Sequence, residues 1–373
     1  MKKILFIIIV ATITCNFFAN AQVDLNTVVG NENSQKVVEN VPNDTKTLLE
    51  ELGIDDASPE SLLSLSFSDF LKFLWQQFKD KSTSPIKHAF LIMAICIMCA
   101  LLENFKTSIE SESLNRVFST CATLGVVGII SDGTIDCIIK TCESVNTYNT
   151  FMLSYIPIYG ATIATTGSVY VSGAFTGWML MICEIISALI VNTILPLMNV
   201  YFALSVVAGI NPALNLSTFV SGLKKTAVWI LTLMMTVFVG VMSIQTVIAS
   251  GKDNLTIKTG RYLLGSFVPI VGSALSEVYL SVQGCLKLLK NSVGGYAVIA
   301  TIVTFLPVLI NLVVWKMAVF VSQIFSEILN VKSVTTLTKS VGNVFSVLIA
   351  VVLVFAVIII FSTSIIILVS GVG

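Results

Sequence analysis

Three kinds of residue in this chain have types and spacing that could do chemistry. Cys96 and Cys99 stand as C-I-M-C, a spacing used by thiol redox couples and by metal sites. Glu184, Glu277 and Lys316 are ionisable groups set in apolar runs, where a charge normally faces a cavity or a partner and marks a path for ions or solutes. His88 is the single histidine, so histidine-based catalysis would hang on it alone. Each has a plainer reading. A cysteine inside an apolar run acts as a small apolar residue, and a histidine at the start of one is an ordinary boundary residue. Lys316 can extend its ammonium to the membrane surface, and Glu184 can sit near it. Cys137 and Cys142 would be able to pair if exported, but their spacing does not demand it.

The sequence holds no Walker loop, no dinucleotide fingerprint and no zinc-type cysteine and histidine spacing. Serines and threonines are plentiful, yet in apolar helices they bond the backbone or a neighbouring helix, and a nucleophile needs a positioned base. The expectation is therefore a chain that is not an enzyme and carries no cofactor or catalytic metal.

What must position these residues is a set of membrane helices. The chain has 373 residues, of which 55% are hydrophobic and 11% charged, against about a quarter charged in soluble domains. Mean hydropathy is +0.93. Apolar runs long enough to cross a bilayer core recur from Ile86 onward. The fold class is all-α, a polytopic integral membrane protein. Net charge is zero, so no basic surface points to nucleic acid.

Residues 1–21 read as a signal peptide: Met1-Lys2-Lys3, an apolar stretch from Ile4 to Phe18, and an A-x-A site at Ala19-Asn20-Ala21. An uncleaved signal anchor is the alternative. Residues 22–84 then lie outside the cytoplasm, first as a polar flexible tether and then as an amphipathic helix. That helix is expected to start with Ser58 as N-cap and Pro59 in its first turn. Its apolar stripe is Leu63, Phe67, Phe70, Leu74 and Phe78, widened by Leu71 and Trp75. Such a face lies in the lipid interface, packs on the membrane domain, or docks a partner.

Residues 85–373 form a multi-span membrane domain with an internal duplication. "VPIVG" (Val268–Gly272) matches "IPIYG" (Ile156–Gly160), and "FVGVMS" (Phe238–Ser243) matches "VVGIIS" (Val126–Ser131), both at an offset of 112. "TFLP" (Thr304–Pro307) falls opposite "TILP" (Thr193–Pro196), and Asn311 opposite Asn199. The copies run over about 116–227 and 228–340, with a final span at 341–370. Each holds a glycine-bearing span, a shorter segment broken at Pro157 or Pro269, and an apolar run of more than thirty residues that breaks near Pro196 or Pro307, or tilts steeply. Proline removes a backbone donor, and freed polar groups in a membrane must be satisfied by protein or by cavity water. Paired breaks are the pattern of duplicated transporters and channels; a simple packing kink is the plainer account. Pro157, Gly160, Pro196, Pro269, Gly272, Glu277 and Pro307 are the pathway or hinge positions this implies. The positive-inside bias places Lys106, Arg116, Lys224 and Lys225 in the cytoplasm, with Lys332 and Lys339.

"FVPIVGSALSE", followed by "LLKNSVGG" (Leu288–Gly295) and the Leu306-Pro307 span, resembles the stage III sporulation protein AE family of endospore-forming bacteria. The resemblance implies a multi-pass component of the mother-cell membrane around the engulfed forespore. It implies partners in a secretion-like channel assembly that bridges the two membranes, among them a secretion-type ATPase and ring-forming membrane subunits. No catalytic motif comes with it. Two roles follow: the chain forms or gates the membrane passage, or it is a non-conducting scaffold that recruits the other subunits.

Overall fold

The computed structural model describes residues 31–57, 61–62, 66–105, 112–165, 169–210, 216–249 and 292–370. Its elements are α1 (Asn31–Asn40), α2 (Asn43–Glu51), α3 (Phe67–Phe105), α4 (Glu112–Thr165), α5 (Val169–Leu189), a π turn (Ile190–Ile194), α6 (Leu195–Ile210), α7 (Ser217–Ala249), α8 (Ser292–Ile328) and α9 (Lys332–Ser370). No strand occurs among the described residues. Six stretches there are long and apolar enough to cross a membrane: Ser68–Leu101, Thr120–Ala161, Thr176–Ile210, Thr218–Ser243, Gly294–Ile328 and Lys332–Ser364. The all-α multi-pass architecture expected from composition is the one adopted.

The bundle is built around α9. Its Val344, Phe345, Leu348, Val351, Val352 and Phe355 are buried, and it packs on α8, α4, α6 and α7. A helix that is apolar all round is a core helix, of a large protein or of a membrane bundle. It enters through a tight turn from α8. Asn330 takes a left-handed conformation, φ 57°, while Asn330 N–H donates to Glu327 O at 3.0 Å and Val331 N–H to Ser326 O at 3.0 Å. These two bonds satisfy the last carbonyls of α8, and asparagine tolerates the torsion better than a branched residue.

Four expectations are corrected. The stretch read as a tether is helical from Asn31: α1 packs on α4 and α2 on α8, with Val37, Val41 and Leu49 buried. Two short helices replace the loose chain because these apolar residues find a receiving surface. Second, no single helix runs from Ser58 to Phe78. Ser66 caps α3, its hydroxyl accepting from Ser68 N–H at 3.2 Å, and α3 then continues without a break into the first span. Its inward residues are Phe73 and Gln77, while Phe70 and Leu74 are half-buried and Phe78 is exposed. Leu63 and the Phe67 side chain lie outside the described residues.

Third, the glycine-bearing span and the segment around Pro157 are one helix, α4, of 54 residues with Pro157 inside it. At 1.5 Å per residue it reaches about 80 Å, far beyond a core of about 30 Å. The polar stretch between the two apolar parts is itself amphipathic. Thr134, Cys137, Ile138, Thr141 and Val145 face inward, and Asp132, Asp136, Lys140, Glu143 and Thr147 face outward. Lys140 and Asp136 pair at 2.8 Å. Charges are costly in hydrocarbon, so this outer row faces water or another polar surface.

Fourth, the two long apolar runs differ. The first is interrupted by the π turn just before Pro196, where Leu195 N–H donates to Ile190 O, five residues back. Pro196 has no N–H for the Asn192 carbonyl, and the wider turn ahead of it takes up the misfit. The second run, α8, passes helical through Pro307. Pro269, Gly272 and Glu277 lie outside the described residues.

Candidate functional site

The interior of the bundle contains one seam that is not purely apolar. α4 turns Tyr148, Phe151, Tyr155 and Tyr159 inward at steps of three, four and four, one face of a helix. The rings follow one another with centroids 5.2, 5.8 and 5.3 Å apart. Phe305 of α8 lies 5.1 Å from Tyr148 and meets Phe355 of α9 edge-on at 5.7 Å. The ladder is thereby locked between three helices.

Its hydroxyls are unequal. Tyr148 OH shares a hydrogen bond with Thr301 and lies 3.2 Å from Ala297 O, both on α8. Thr301 also donates to Ala297 O at 2.7 Å. Tyr155 OH is fully buried, and its hydrogen-bonding neighbour is Thr363 of α9, whose own hydroxyl donates to Ile359 O at 2.9 Å and keeps its lone pairs free to accept. Ser362 and Ser364 flank Thr363, also buried and also bonded to their own backbone.

At the outer edge of the seam, Asn149 donates through Nδ2 to Glu184 Oε2 of α5 at 3.3 Å. Asn149 Oδ1 is buried without a partner among the described residues. Glu184 itself is exposed on the bundle surface.

A second polar junction ties α6, α7 and α9. Lys224 Nζ donates to Asn343 Oδ1 at 2.5 Å, and Asn343 Nδ2 to Tyr201 OH at 3.2 Å. Asn343 thus joins a cation and a phenol through its two ends, an arrangement that fixes the register of three helices.

The residues singled out from sequence scatter around the seam. Gly160 is buried on α4, close to Tyr159, while the Pro157 ring faces outward from the bundle. Pro196 is exposed, and Pro307 and Lys316 are half-buried on α8. Among the described residues, Pro157, Pro196 and Pro307 therefore do not share one buried face. His88 stacks on Trp315 with centroids 5.0 Å apart, and its Nδ1 donates to Ser84 O at 2.7 Å. No disulfide joins Cys96 to Cys99 or Cys137 to Cys142. No cluster of three metal-ligating side chains occurs among the described residues. Tyr148, Tyr155 and Thr301 were not anticipated, although the 3-4-4 spacing of aromatics from Tyr148 to Tyr159 was there to be read.

The stage III sporulation protein AE family model matches residues 55–370. A relative named stage III sporulation protein AE, from Bacillus subtilis (strain 168), is 24% identical over 296 residues, covering 78% of this chain and 74% of its own length. No solved structure matches. The match takes in α3 through α9 and the whole seam, and leaves α1 and α2 outside. The chain belongs to the stage III sporulation protein AE family.

Proposed function

We propose that this sporulation protein forms or gates a passage through the mother-cell membrane around the forespore, as a non-catalytic component of a secretion-like assembly. Its partners there are a secretion-type ATPase, ring-forming membrane subunits and the bilayer itself. The observation that supports this reading is the seam itself, a line of tyrosine, threonine and serine hydroxyls buried between α4, α8 and α9, with Tyr155 beside Thr363 and Tyr148 beside Thr301. An apolar core needs no such groups. A seam that admits water or a polar solute in another state would use them as hydrogen-bonding partners.

The test is Tyr155→Phe in sporulating cells. The variant should accumulate normally and melt close to the parent, yet yield fewer heat-resistant spores. Wild-type spore counts would remove the seam from the mechanism.

The scaffold reading has its own support on α3. Trp75 is 70% exposed and stacks on the exposed Phe78 at 5.9 Å, with Leu71 beside them one turn back. An apolar patch of this kind beside Lys72 and Lys79 suits a protein partner. Trp75→Glu should leave the purified chain stable and abolish co-purification of the other subunits. Undiminished co-purification would exclude this face.

A further inference from the structure

α1 and α2 have ten and nine residues, too short to hold as helices alone. They are helical here because they are docked. Val37 and Val41 bury against the bundle, as do Leu49, Leu52 and Ile54. α1 touches both α4 and α8, and α2 lies along α8. The contact has a specific polar pin: the hydroxyls of Thr45 and Thr304 are 2.8 Å apart. Thr304 stands one turn from Thr301, the partner of Tyr148. The two helices therefore cover the groove between α4 and α8 where the hydroxyl seam lies just beneath. They precede residue 55, where the family match begins.

We propose that α1 and α2 are an internal plug: docked, they close the α4–α8 side of the seam, and released, they open it to water. The proposal rests on the passage reading above. Because each helix loses its fold on leaving the groove, release is an order–disorder step rather than a rigid swing. The dry state is stabilised by apolar side chains and pinned by one hydroxyl pair.

The experiment uses the full chain in liposomes, with its native cysteines replaced by alanine and a probe thiol introduced by Thr301→Cys. A membrane-impermeant maleimide reports the probe's exposure. Two further substitutions, Thr45→Cys and Thr304→Cys, lock the plug when oxidised and free it when reduced. Val41→Asp with Leu49→Asp undocks it. Labelling of Thr301→Cys should be slow in the parent, slower still in the oxidised lock, and at least about tenfold faster after undocking. Thr47→Cys, on the exposed face of α2, should label in every state. Equal labelling before and after undocking overturns the plug, as does rapid labelling in the oxidised lock. Should the undocked chain fail to fold, the oxidised and reduced forms of the lock decide the matter on one sequence, with reductant removed and the maleimide adduct at Thr301→Cys assigned by mass spectrometry. Solute flux separates the two ideas. Undocking that exposes Thr301→Cys without flux keeps the plug and rejects the passage, whereas a seam protected in every state rejects the plug whatever the flux.

Discussion

The indole of Trp315 fills the space where any side chain on Gly133 would stand. A Cβ built on Gly133 overlaps the ring, so α8 approaches α4 here more closely than alanine allows. The same ring carries His88 of α3 on one flank and Phe345 of α9 on another, with centroids 5.0 and 6.0 Å away. Four helices meet at one tryptophan. Gly133→Ala should lower stability by about 1–3 kcal/mol through overpacking, despite alanine's better helix propensity. Thermal unfolding in detergent measures it, and pairing the change with Trp315→Leu should recover part of the loss.

The two buried tyrosines should respond unequally. Tyr148→Phe removes a hydroxyl bonded to Thr301, and costs about 1 kcal/mol. Tyr155→Phe removes a hydroxyl whose neighbour Thr363 already bonds its own backbone, and should cost less. Unfolding of the two single variants side by side checks the order.

Asn343 is expected to be among the more sensitive polar positions. Asn343→Leu leaves Lys224 and Tyr201 without the contacts described above, at a cost of about 1–3 kcal/mol. Asn343→Asp keeps an acceptor for Lys224 and should restore most of the loss. Equal damage from both would mean that the amide's shape matters and its acceptor does not.

Pro157 should prove dispensable as a break. Its ring is on the outer face and α4 continues past it. Pro157→Ala gives back a donor for the Leu153 carbonyl, and stability should rise by about 1 kcal/mol or more. Spore formation should be unchanged; a loss of spores in a chain that melts higher would reinstate the proline as a hinge.

Much of the membrane domain was legible in advance because apolar length is a direct statement about solvent. The spans and the disturbance near Pro196 followed from that rule, whereas His88, read as a boundary residue, stands inside the Ser68–Leu101 stretch against Trp315. Proline was the weaker signal. Pro157 and Pro307 each forfeit one backbone bond, and packing along the rest of a long helix outweighs it. The stretch from Asp132 to Thr150 is too polar to register as a span, yet its 3.6-residue alternation belongs to a helix buried on one side. Short α1 and α2 were illegible for a different reason. Their stability resides in a groove formed by residues a hundred to two hundred and fifty positions away, and no local propensity records it. The seam lay hidden in the same way, since Tyr148 meets Thr301 only after α8 has been laid against α4.

The placement of α9 at the centre carries a consequence for biosynthesis. It is translated after every other described helix, so the earlier spans enter the bilayer with their shared axis missing. Until it arrives they must be tolerated by lipid or shielded by insertion machinery, and a ribosome that stops near Val331 would release a ring of helices around an empty middle. Such a product is a ready substrate for membrane proteases, which would make arrival of α9 the step on which packing of the other described helices depends.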